Sequence, residues 1–78
     1  MFLSLNNVDI IKTFVNEVTK IDKDKVSVDL ASGRYVVDAR SLLGIFSLDL
    51  SKPVEAIINA ENEDDKNHAI SILSKFVA

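Results

Sequence analysis

The sequence predicts an α+β fold, a two-layer sandwich in which a mostly antiparallel sheet carries helices on one face and leaves the other to water. Three observations carry this expectation. "VSVDL" alternates apolar and polar residues, and "RYVVDA" returns after a glycine, as a half-buried hairpin does. Apolar residues recur at helical spacing in two stretches, Ile11–Phe14–Val15–Val18–Ile21 and Ala69–Ile72–Leu73–Phe76. Strand-like and helix-like stretches interleave as β–α–β–β–(38–50)–β–α, with no repeats, linkers or low-complexity tracts, so residues 1–78 form a single domain.

The elements follow in order. "MFLSL" is short and apolar, interrupted by Ser4, and reads as a first strand. Asn6 and Asn7 are turn and N-cap residues before the helix "VDIIKTFVNEVTKI". Asp9 falls in its first turn, where the helix dipole favours an anion, and Lys12, Asn16, Glu17 and Lys20 take its wet side. After the polar "DKDK", the hairpin Val26–Ala39 places Val26, Val28 and Leu30 on one face. Its turn is "ASG", with Gly33 supplying a positive φ at no steric cost.

The segment "DARSLLGIFSLDL", Asp38–Leu50, is the ambiguous one: seven apolar residues surround a glycine where a helix would prefer alanine. Leu42, Leu43, Ile45, Phe46 and Leu48 exceed what one short helix buries, because an amphipathic helix hides about half its circumference. Pro53 ends this segment and opens the β-branched strand "VEAIINA". "ENEDDKNHAISILSKFVA" closes the chain as an amphipathic helix. Asn62 and Asp65 stand at capping-box spacing, Glu61, Glu63, Asp64 and Asp65 suit the helix start, and Lys75 suits its end.

Composition narrows the function classes. The chain has a formal charge of −3 with its basic residues dispersed, which is not a nucleic-acid footprint. The absence of cysteine removes disulfides and thiolate chemistry and fits a reducing compartment. No apolar run approaches the ~20 residues of a membrane span, and "MFLSLNN" lacks the pattern of a signal peptide. The expectation is a soluble cytoplasmic domain. Two glycines leave no phosphate-binding loop, no serine sits in a nucleophile elbow, and the 61–65 acids lack calcium-loop spacing. His68, the only histidine, has no second histidine or cysteine to form a metal site and reads as a surface residue. The sequence therefore predicts neither an enzyme nor a cofactor.

Four features stand together in one order: Gly33-Arg34 in the hairpin turn, "RSLLGIFSL", "VEAIINA", and the acidic-start helix "ENEDDKNHAISIL". In this they resemble the HPr family, the histidine-containing phosphocarrier proteins of the bacterial sugar phosphotransferase system. The resemblance covers roughly the C-terminal three fifths by motif and the remainder by element order. It implies an open-faced β-sandwich, a four-stranded antiparallel sheet with three helices on one face, and it makes the 38–50 segment a short second helix.

The same resemblance marks a departure. The family carries its phosphoryl group on a histidine before the first helix, with an arginine two residues on. Those positions fall at about Asn7 and Asp9, and no His or Arg precedes Arg34. An aspartate at that helix start would repel a phosphate dianion, so phosphohistidine transfer is not expected.

Ser41 matches the family's regulatory serine, a kinase substrate in some members, and it also suits an N-cap. Arg40 beside it could pair with a phosphate. In the resembling proteins the residues matching Leu43 and Phe46 are exposed and dock partners; with Leu42 and Arg40 they make the expected partner-binding set, on the helix Ser41–Leu48. The expected partners are proteins, among them a serine kinase, with no nucleic acid or membrane. The alternative is a structural domain that self-associates through Leu43 and Phe46, so the expected state is a monomer or weak homodimer. Gly44 is expected where a neighbouring element approaches the helix backbone.

Overall fold

The computed structural model describes residues Met1–Ala78. Its elements are β1 (Phe2–Leu3), α1 (Val8–Val18), β2 (Val26–Ser32), β3 (Tyr35–Asp38), α2 (Leu42–Phe46), β4 (Val54–Ala60) and α3 (Glu63–Leu73), followed by a 3₁₀ turn at Ser74–Phe76. The four strands form one antiparallel sheet in the order β1-β4-β2-β3.

Period-2 alternation divides the sheet faces. Leu3, Val26, Val28, Leu30, Val54 and Ala56 are buried under the helical layer. The opposite face holds Phe2, Ser27, Asp29, Ala31, Val36, Asp38, Glu55, Ile57 and Asn59, none of them buried, and stays open to water. The α+β architecture with an open antiparallel sheet and three α-helices thus agrees with the expected layering. All seventeen buried residues are hydrophobic and belong to one core cluster.

The hairpin turn is tighter than "ASG" suggests. Ser32 pairs with Tyr35, so the loop is Gly33-Arg34 and Ala31 and Ser32 belong to β2. Gly33 has φ +59° and is the only residue with positive φ, as a two-residue turn with glycine first requires.

α1 buries Ile11, Phe14 and Val18, as its spacing predicts, and Asn7 caps it by accepting the Ile10 N–H at 2.9 Å. Phe14 meets Phe76 edge-to-face at a centroid distance of 5.2 Å, joining α1 to the turn after α3. Glu17 on α1 also reaches Lys20 (3.4 Å) and Lys75 (3.5 Å).

The chain ends depart from the sequence reading. β1 is two residues long, and the last helix stops at Leu73 instead of running to the end. A 3₁₀ turn at Ser74–Phe76 follows, and from Val77 the backbone is extended and lies along the outer edge of β1. Leu3 bridges Val77, the Ser4 N–H donates to the Phe76 carbonyl at 2.8 Å, and the Ala78 N–H to the Phe2 carbonyl at 3.1 Å. Helical periodicity continues through Phe76, but the unpaired edge of β1 offers extended backbone a better set of partners. The capping box is also only half formed. The Asn62 side chain accepts the Asp64 and Asp65 N–H groups at 2.7 and 3.4 Å, with no return bond from Asp65.

Candidate functional site

The Asp38–Leu50 segment resolves into a turn, a five-residue helix and a loop. The Asp38 side chain and carbonyl accept the Arg40 and Ser41 N–H groups at 2.8 and 3.0 Å, which reverses the chain after β3. Ser41, in extended conformation, then caps α2 by accepting the Gly44 N–H on its Oγ at 3.1 Å. The Ser47 hydroxyl closes the other end on the Gly44 carbonyl.

This helix divides its apolar residues as the surplus argument predicts. Ile45 is fully buried and Leu48 nearly so, anchoring the segment to the core. Leu42, Leu43 and Phe46 stay 36%, 84% and 43% exposed, on a helix with only one buried residue of its own. A five-residue helix is too short to persist by itself. It is held by its cap, by Ile45 and Leu48, and by contact with α1 and β3.

Gly44 explains the closeness of the β3 contact. A Cβ at this position would lie 3.2 Å from the Val37 Cβ and 3.1 Å from the Ser41 Oγ. The neighbouring strand therefore approaches the helix backbone here, which is the structural reason for glycine at a position where it costs ~1 kcal/mol against alanine.

Arg40 is placed differently from its expected partners. Its guanidinium donates to the carbonyls of Ile21 (3.0 Å) and Val26 (3.4 Å), tying the α1–β2 connection to the β3–α2 turn. It is half-buried in that role, whereas Leu42, Leu43 and Phe46 are exposed. Ser41 itself is exposed. Sequence reasoning missed the Arg40 clamp because its acceptors lie 19 and 14 residues away and leave no trace in local spacing.

Elsewhere the surface offers little convergent chemistry. Asn7 is occupied as the α1 cap, and Asp9 is exposed in the first turn. His68 is exposed on α3, and no group of three or more His, Cys, Asp or Glu side chains converges on a metal-sized site. The broadest depression runs between the 23–27 segment and the start of α3, lined by Lys23, Lys25, Asn59, Glu61 and Asp65 among others. No buried side-chain polar atom anywhere lacks a partner, so nothing is aimed unsatisfied into it.

Two carboxylates are perturbed. Hydrogen bonding and charge from Lys20, with help from Lys75, hold Glu17 below its ordinary value. The Ser51 hydroxyl and N–H do the same for Asp49, in the loop after α2. Both are structural contacts, Glu17 half-buried and Asp49 exposed. No helix is long and apolar enough to cross a membrane. Compared with protein-family models, curated proteins and solved structures, the chain matches none.

Proposed function

We propose that the chain is an HPr-like protein without phosphohistidine carrier activity, acting in the cytoplasm as a protein-binding adaptor through α2, with Ser41 as a site of regulatory phosphorylation. The observation that carries this reading is the exposure of Leu42, Leu43 and Phe46 on a helix anchored by Ile45. A contiguous exposed apolar group on a small domain is characteristic of a binding surface. Ser41 supports the regulatory half by its place: its exposed hydroxyl caps the same helix, so a phosphate there would put a dianion at the border of the apolar surface. The absence of carrier activity in this reading rests on the start of α1, where the family's histidine and arginine positions fall at about Asn7, the cap, and Asp9, in the first turn.

Two incubations test the proposal. With phosphoenolpyruvate and Enzyme I the protein is expected to stay unmodified, and phosphate on His68 would overturn the carrier half. With HPr kinase and ATP, mass spectrometry is expected to find one phosphate at Ser41, absent from Ser41→Ala. No modification would remove the regulatory half. A second reading, self-association through Leu43 and Phe46, draws on the same exposure. Analytical ultracentrifugation of Leu43→Asp separates the two, since only self-association makes the sedimenting mass depend on this residue.

A further inference from the structure

The two edges of the sheet are finished differently. β1 is covered by the backbone of residues 76–78, whereas β3 has β2 on one side and no strand on the other. The backbone direction on β3 follows from its ladder. The Ala39 N–H donates to the Val28 carbonyl at 2.9 Å, so Val28 and Ala39 form a hydrogen-bonded pair. Pairs alternate along an antiparallel ladder, which makes Leu30/Val37 and Ser32/Tyr35 hydrogen-bonded too. The residues between, Val36 and Asp38, turn their N–H groups outward, and neither N–H has a partner. Exposed, β-branched and 60% accessible, Val36 sits at the middle of this free edge.

We infer that the β3 edge pairs antiparallel with the β3 edge of a second copy of this chain, about a two-fold axis at Val36. The edge is self-complementary in that register. Val36 faces Val36, and each N–H donates to the other's carbonyl, the positions at which both edges present outward groups. Two residues away on either side, the turn residue Arg34 comes opposite Asp38 of the other copy, whose carbonyl already accepts the Ser41 N–H, so the side chains and not the backbone join this position. Tyr35 faces Val37 on the helical face, an aromatic on a β-branched side chain.

Charge gives an independent argument for this occupant. Within one chain Arg34 is exposed and makes no ion pair. Asp38 stands opposite Asp29 at a non-hydrogen-bonded position, where side chains are closest and like charges destabilise. The two-fold places an unpaired cation from one copy beside this acidic pair of the other, twice. A partner strand of arbitrary sequence would not supply a cation there. The Pro and Lys residues that commonly guard free edges are absent from β3.

The test is sedimentation equilibrium of the full chain up to about 1 mM, the range a short interface calls for. The expected result is a monomer–dimer equilibrium. Val36→Pro removes an N–H that the monomer does not use, and it should abolish the dimer while leaving the circular dichroism unchanged. Arg34→Glu and Asp38→Lys should each weaken the dimer by about tenfold or more. An equimolar mixture of those two variants should recover a heterodimer, because every facing charge is again opposite. This recovery also controls for damage to the Asp38 turn. A monomer throughout, association indifferent to Arg34→Glu and Val36→Pro, failure of the mixture to pair, or a dimer that only Leu43→Asp dissolves would each overturn the inference.

Discussion

α2 and α3 both start on a polar cap, Ser41 in one and Asn62 in the other, yet their relations to the core are opposite. α3 runs eleven residues, begins with three acids and buries Ala69 and Leu73. α2 runs five, has no charge in its first turn, and buries Ile45 alone. One is an amphipathic helix whose apolar side is used up by packing. The other carries more apolar side chains than its contacts need, so the fold is not the reason for Leu43. That contrast is what supports α2 as the proposed binding surface.

The comparison breaks most decisively at the two anchors. Ile45→Ala and Leu73→Ala each remove a fully buried aliphatic side chain and should each cost about 2–5 kcal/mol in urea unfolding. A cost for Ile45→Ala below about 1 kcal/mol would mean that α2 is not fixed to the core, and its exposed residues would then be a frayed end and not a surface. The caps should cost less, about 1 kcal/mol each for Ser41→Ala and Asn62→Ala. Hydrogen exchange sharpens the difference. Loss of the Ser41 cap should accelerate exchange locally, at the Gly44 amide, because a five-residue helix opens without the rest of the domain.

Acid separates the two helices further, since the segment after α3 is tied to α1 through Glu17 and Lys75 and α2 has no such tie. Glu17 titrates below its ordinary 4.5 in the folded chain, chiefly through Lys20, so its stabilisation is present in full above that value and is lost as pH falls through the lower folded one. Lys20→Ala should therefore be less stable than the parent near neutral pH, and the gap should close on acidification, as read by urea midpoints across pH. The smallest effect belongs to the surface itself. Leu43→Ser should change stability by no more than about 0.5 kcal/mol. A larger loss would show that Leu43 is part of the packing after all.

Much of this was legible in the sequence where the cause is local. Alternation at Val26, Val28 and Leu30 gives the hairpin, and helical spacing gives α1 and most of α3. A surplus of apolar residues around Gly44 anticipates that some of them cannot be buried. What escaped notice has distant causes. The Arg40 clamp depends on carbonyls that the fold brings from the α1–β2 connection. The change from α-helix through a 3₁₀ turn to extended backbone at Val77 depends on an empty place beside β1, at the far end of the chain. The free edge of β3 becomes visible only once strand order is known, because a strand's sequence does not say which neighbour it lacks.

The missing side chain at Gly44 lets α2 rest directly on Val37, and Val37 is the immediate neighbour of Val36 at the free edge. Helix and edge are thus two readouts of one short stretch of strand. If pairing at the proposed edge shifts β3, it shifts the floor on which α2 sits, and a protein seated on Leu43 would press on the same floor from above. Thermodynamic linkage makes the exchange symmetric: whatever free energy strand pairing adds to or takes from recognition at the helix, recognition at the helix returns to strand pairing in equal measure.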